Sequence, residues 1–306
     1  MRKKIGIALL LLILVLPALP IFREKDVITA RSRLMSFLGE SGSKQVIAGK
    51  DGFLFFTESL ERSLEPLSEE ELNELKDGLR DLDTLLTAEG KRFLVLIAPD
   101  KRTVYPDMLP ERWRVPGDEW ERVQSAVRSA GVETVDVLPV LLREKEKGLV
   151  YFSGDTHWNA RGAREAYRLL AEKLALENAE SYDDMQFLSG EAGDLIRLCR
   201  PAFGKDEPDA VPDLMRTYRK VRPFADLDAM QLSTSSKVND RSVLVIRDSF
   251  GKGLFPYLAE NVGHLTFSRT YTLIHSQADK FEADTVVLEI VERDLRNLIR
   301  YLNEGN

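Results

Sequence analysis

Strand-like apolar runs alternate with amphipathic helical patterns along this chain, and that alternation limits its possible folds more than any other feature. Phe93–Ala98, Ser242–Ile246 and Thr285–Val291 are largely apolar runs of strand length, bounded by polar or turn residues, and Val132–Val137 alternates like a strand. Ahead of the first, Leu72, Leu75, Leu79, Leu82 and Leu86 recur at helical spacing until Gly90. That run starts behind Ser68 and Glu71, whose separation by three is that of a capping box. Asp118 and Glu121 repeat the spacing before a helix through Val127. Asn159 is placed to cap a long helix over Ala160–Glu177, and a closing helix runs through Leu302. Neighbouring parallel strands need crossover connections, so the rhythm predicts an α/β chain with a mainly parallel sheet between helices.

Composition narrows the function classes. The 306 residues are 43% hydrophobic and 30% charged, as expected of a folded protein of one large or two small domains. A net charge of −7, with acids and bases interspersed, argues against a surface built to grip nucleic acid. Cys199 is the sole cysteine, so neither an intramolecular disulfide nor a cysteine-rich zinc site can form. His157, His264 and His275 are the only histidines, which leaves imidazole chemistry few places.

Met1–Lys4 is a basic flank and Ile5–Phe22 an uncharged apolar run. At 1.5 Å per residue such a run reaches roughly 27 Å, near the thickness of a bilayer core. With no clean small-x-small cleavage site, residues 1–22 read as an uncleaved signal anchor holding 23–306 outside the cytoplasmic membrane. Cleavage near Ala18 is the alternative. Within 23–306, the proline-punctuated stretch 179–240 is expected to be a loop-rich insertion over the sheet.

The chemistry centres on Ser249. The strand Ser242–Ile246 gives way at Arg247 to Asp248-Ser249-Phe250-Gly251, with a short helix expected over Leu254–Leu258, broken at Pro256. Open α/β sheets gather reactive groups at the carboxyl ends of strands, where turn N–H groups can hold an anion. A serine nucleophile needs a base for its proton and an acid to orient that base. Asp155-Thr156-His157 offers both, since residues two apart in extended chain point to the same side. The same triplet could instead be a turn that leads into the following helix, with Asp155 accepting backbone N–H groups. A metal is not expected, because Asp155 and His157 would need a third protein ligand. No role falls to His264 or His275. Lys101 and Arg293 lie just beyond strand ends, where a cation can hold a sugar carboxylate or an oxyanion, or simply pair at the surface. Trp158 and Tyr105 could stack on a sugar ring or pack in the core.

Several motifs together resemble the alginate O-acetyltransferase (AlgX/AlgJ-like) family. They are Gly-Lys-Asp-Gly-Phe-Leu-Phe at 49–55, Pro-Asp-Lys with Val-Tyr-Pro and Leu-Pro at 99–110, and Asp-Thr-His-Trp-Asn at 155–159. Gly-Asp-Leu at 193–195, Asp-Ser-Phe at 248–250 and Glu-Arg at 292–293 complete the series. The resemblance implies a three-layer SGNH-hydrolase-like fold with Ser249, His157 and Asp155 as the catalytic triad and no cofactor. It further implies acetyl transfer onto an exported polysaccharide, alginate-like or another cell-surface glycan, with a membrane-bound O-acyltransferase as donor. An esterase with the same triad, or a non-catalytic subunit of an export complex, is the rival reading. The chain stops a few residues after the last strand, so the likeness is to family members without a C-terminal carbohydrate-binding module.

Overall fold

The computed structural model describes residues 43–115, 117–177, 185–188, 193–199, 209–212, 217–269 and 282–303. The expected anchor at 1–22 and His275 lie outside these residues, and no described helix is long and apolar enough to cross a membrane.

The described residues open on a hairpin of β1 (Val46–Ala48) and β2 (Leu54–Phe56), which are antiparallel. Asp51 and Gly52 turn it, both at positive φ (52° and 83°), and Phe53 N–H closes the turn on the Lys50 carbonyl at 2.9 Å. There follow α1 (Thr57–Ser63), α2 (Glu69–Ala88), β3 (Arg92–Ala98) and α3 (Lys101–Val104). Next come α4 (Glu119–Ser129), β4 (Glu133–Val135), α5 (Leu138–Glu144) and α6 (Ala160–Lys173). The short pieces β5 (Met185–Leu188), α7 (Asp194–Cys199), β6 (Asp209–Pro212) and β7 (Arg219–Lys220) lead to β8 (Gln231–Ser235). The chain closes with β9 (Ser242–Ile246), α8 (Gly251–Asn261), β10 (His264–Ser268), β11 (Thr285–Val291) and α9 (Leu295–Asn303).

The main sheet has the order β4-β3-β11-β9-β10-β8-β7. β4, β3, β11, β9 and β10 are parallel, while β8 and β7 add an antiparallel edge. Both faces are covered, which is why the central strands β3, β11 and β9 are mostly apolar rather than alternating. Phe93, Val95, Ile97, Leu244 and Ile246 pack with α2, α4 and α9 on one side. Leu94, Leu96, Val243 and Val245 pack with α6 and α8 on the other. The α2 stripe is buried from Leu72 to Leu86, and each leucine withdrawn from water contributes about 1.5–3 kcal/mol. Gly78 sets how close α2 and α9 lie, since a Cβ there would stand 2.8 Å from that of Leu302.

Ser68 and Glu71 form the reciprocal capping box as expected. Asp118 does not: its side chain makes no cap bond, and Glu119 beside it instead accepts from Leu67 N–H and Arg102. The expected strand at 132–137 keeps only three residues, because Leu138-Pro139 opens α5 and draws Val137 into helical geometry. α6 ends at Lys173 rather than 177, where Ala175 turns to positive φ. α8 runs straight through Pro256, with Leu254, Phe255 and Leu258 buried on both sides of it. Core packing there outweighs the missing N–H bond. Residues 231–235, inside the stretch expected to be loop-rich, form a strand of the main sheet. Leu232 and Thr234 alternate inward there, and one apolar residue gives too faint a period to read.

Candidate active site

Three strand ends meet at the carboxyl edge of the sheet, and the site is built on them. β9 leads into Asp248-Ser249, β3 into Asp100-Lys101 and β11 into Glu292-Arg293. Ser249 is half-buried at the corner before α8. Its hydroxyl stands 2.7 Å from His157 Nε2, which arrives from the loop ahead of α6. On the far side of the ring, Nδ1 is 2.6 Å from Asp155 Oδ1, which also accepts the His157 backbone N–H at 2.9 Å. The Asp155 Oδ2 accepts the Asp194 backbone N–H at 2.8 Å. Every residue of the expected trio is thus brought together, in the order Asp155, His157, Ser249.

The electrostatics suit those roles. Burial by itself would raise the Asp155 carboxyl, but the hydrogen bond and charge of His157 and the two backbone N–H donors hold it well below the usual carboxylate range. An ionised Asp155 accepting from Nδ1 fixes the proton there and leaves Nε2 with a lone pair toward Ser249. Asn159, not Asp155, caps α6, its side chain accepting Gly162 N–H at 3.1 Å. The turn reading of Asp155 therefore survives only in its two backbone acceptances.

Around the serine, the turn N–H groups divide. Phe250 N–H is taken by Asp248 Oδ1 at 2.7 Å, whereas Ser249 N–H has no partner among the described residues and stays available to an oxyanion. The Phe250 ring lies against His157 at 4.9 Å and Trp158 at 5.3 Å, and Arg293 sits over it at 5.2 Å. Trp158 is buried and donates to the Phe250 carbonyl at 3.0 Å, and Tyr105 is buried and donates nothing outward: its hydroxyl accepts Val150 N–H. Both aromatics are core packing.

Lys101 is only 2% exposed and donates to the carbonyls of Ser153 at 2.6 Å and Asp155 at 2.9 Å. It braces the loop carrying Asp155 and His157 rather than facing outward. Arg293 pairs with buried Asp100 at 3.2 Å. Behind the serine, three guanidiniums (Arg102, Arg247, Arg293) face four buried carboxyls (Asp100, Asp248, Glu289, Glu292). Of these four carboxyls, one is placed to keep its proton. Glu289 is the candidate, since burial and then the charge of Asp248 push it well above the ordinary 4.5.

Asp155, His157 and Asp194 also bring three ligand atoms within 4.8 Å of one another, so the third ligand the sequence seemed to lack is present. Two atoms each about 2.1 Å from one tetrahedral ion stand roughly 3.4 Å apart. The 2.6 Å between Nδ1 and Oδ1 is instead a hydrogen-bond separation. Sequence reasoning gave no role to Asp194 or Thr156; Gly-Asp-Leu at 193–195 was the only trace of the former.

A three-layer α/β domain with a Ser-His-Asp constellation at its strand ends defines an SGNH-hydrolase-like protein. The family model described as "SGNH hydrolase-like domain, acetyltransferase AlgX" matches residues 46–251, more than half of the chain, and the chain belongs to that family. The probable alginate O-acetylase AlgJ of Pseudomonas putida is 29% identical over 160 residues, 51% of this chain. That match spans 40% of the relative's own length. Among solved structures, the O-acetyltransferase domain of Pseudomonas putida AlgJ superposes with a TM-score of 0.55 at 20% identity, covering 85% of this chain and 99% of that one. Bacillus cereus PatB1 gives 0.62 at 15% identity, covering 82% and 96%. At such identities the structural likeness speaks for the fold.

Proposed function

We propose that this chain is an extracytoplasmic O-acetyltransferase that carries an acetyl group on Ser249 and passes it to hydroxyls of an exported polysaccharide. The observation that carries this reading is the 2.7 Å hydrogen bond between Ser249 Oγ and His157 Nε2, with Asp155 2.6 Å from the other ring nitrogen. Membership of an alginate O-acetylase-like family supports transfer to a glycan.

In the first half-reaction His157 Nε2 takes the Ser249 proton as Oγ bonds the acetyl carbon of the donor. The carbonyl π pair moves to oxygen, where the Ser249 N–H can meet it. The C–O bond to the donor then breaks, and its oxygen receives the proton from Nε2. The second half repeats these steps with a sugar hydroxyl as attacking group and Ser249 Oγ as leaving group. The donor would be an acetyl group delivered by a membrane-bound O-acyltransferase. Residues 1–22 would anchor the domain to the cytoplasmic membrane on its outer side.

Ser249→Ala tests the reading, with acetyl transfer to an oligosaccharide and release of acetate from a small acetyl ester measured side by side. Both are expected to vanish while the unfolding temperature holds, because a half-buried turn serine adds little to packing. A folded Ser249→Ala protein that retains activity rejects the nucleophile. Acetate release with no acetylated sugar in any product would make the chain an esterase.

A further inference from the structure

The Asp155 carboxylate does not stand alone behind His157. Asp194 Oδ1 accepts the Thr156 backbone N–H at 2.8 Å, and its Oδ2 accepts the Thr156 hydroxyl at 2.6 Å. That hydroxyl oxygen lies 3.3 Å from His157 Nδ1, and Asp194 Oδ2 itself lies 3.7 Å from the same nitrogen. Nδ1 therefore faces two acidic arms: a short direct one to Asp155, and a longer one through Thr156 to Asp194.

The second arm is clamped against the first by close backbone contact. A Cβ on Gly193 would stand 2.3 Å from the Gly154 carbonyl oxygen, and Gly154 in turn touches Ile196 so closely that its own Cβ would meet Cδ1 at 2.3 Å. Ile196 N–H donates to the Gly154 carbonyl at 3.1 Å, and Asp194 N–H donates to Asp155 Oδ2. Glycine at 154 and 193 is what lets two chain segments, 38 to 39 residues apart at these bonds, come within reach of one imidazole.

We infer that Asp194 is a positioning residue for the transfer reaction: through Thr156 it holds the His157–Asp155 pair in register and places a second negative charge beside Nδ1 when the ring takes the serine proton. The inference rests on the proposed role of His157 as base. Its physical content is that an imidazolium flanked by two carboxylates is more stable than one flanked by a single carboxylate. The other charges around the ring are Asp155, Lys101 bonded to the Asp155 carbonyl, and Arg293 across the Phe250 ring. Asp194 touches no reacting atom, and its effect passes through His157.

The test is Asp194→Asn, which keeps the backbone N–H to Asp155 and one of the two acceptor oxygens for Thr156 while removing the charge. Nitrogen-15 labelling of histidine reads the ring directly, because the chain has three histidines. Loss of a carboxylate beside Nδ1 is expected to move the titration midpoint of the His157 ring downward relative to the parent. The kcat/KM for a small acetyl ester should fall about tenfold on its plateau, with its acid limb moved to lower pH. An unchanged midpoint and an unchanged acid limb in a folded Asp194→Asn protein overturn the inference, even if turnover falls. Should that variant not fold, Asp194→Ser, which also keeps an acceptor without the charge, is read by the same two measurements. Ser249→Ala separates the layers: full activity there rejects the proposed function itself, whereas an inactive Ser249→Ala beside an unaltered Asp194→Asn rejects only the role of Asp194.

Discussion

Asp248 Oδ2 accepts the backbone N–H of Val291 at 2.7 Å, so the turn that presents the serine is tied to the end of the neighbouring strand β11. The other oxygen of the same carboxylate accepts Phe250 N–H. Asp248 therefore needs two acceptors and no donor. Asp248→Asn would turn an amide N–H₂ toward one of those N–H groups, and leaving a buried donor unpaired costs about 1–3 kcal/mol. A urea midpoint that falls with m unchanged, alongside reduced ester turnover, is the expected outcome. A variant as stable and active as the parent would show that the tie contributes nothing.

Asp155→Asn keeps the size of the side chain but lets its amide donate to Nδ1, which favours the wrong tautomer of His157. Turnover should drop on the order of 10⁴, as in serine proteases with the equivalent change. Adding His157→Ala should make matters little worse than the more damaging single substitution, since residues acting as a unit are not additive. Activity within about tenfold of the parent would leave Asp155 as a turn residue only.

Glu289 gives the fold a pH signature. Its folded value lies well above the ordinary 4.5, because burial comes first and the charge of Asp248 second. Above pH 4.5 the unfolded chain releases this proton while the folded chain keeps it, so this group lowers stability as pH rises toward its folded value. Glu289→Gln removes that slope. Relative to the parent, the variant should gain stability steadily from pH 5 upward in urea melts, and a difference that stays flat with pH would contradict a retained proton.

Lys101→Met preserves most of the packing against Phe53 and Phe55, whose ring centres each lie 5.3 Å from Nζ. It strips the donor from the Ser153 and Asp155 carbonyls. The expected cost is about 2–4 kcal/mol in folding, with kcat reduced more than KM is raised because the loop carries acid and base. Unfolding melts and steady-state kinetics on the ester check both parts.

The regular parts of this molecule were legible because the central strands buried on both faces are mostly apolar, as in Phe93–Ala98 and, apart from Thr285 and Glu289, Thr285–Val291. The carboxyl-end placement of Ser249 followed from the same logic, and the Asp155–His157 spacing from extended geometry. The site lost legibility where partners come from far along the chain. Nothing local marks Asp194 as a neighbour of Thr156, and Lys101 reads as a surface cation until the carbonyls it braces are seen. β8 escaped because its inward face holds one apolar residue, and the absent cap at Asp118 because Glu119 is drawn to Leu67 and Arg102 instead.

The hydrogen bond between His157 and Ser249 spans 92 residues, and between them in the chain lie, among other elements, α6, the antiparallel strand β8 and the central strand β9. Contacts this distant in sequence form only after the chain has paid the entropy of closing the loop between them, which makes them late events in folding. Until then the serine is an ordinary alcohol with no base in reach. The appearance of ester turnover during refolding would thus time the docking of the 153–159 loop onto the finished sheet.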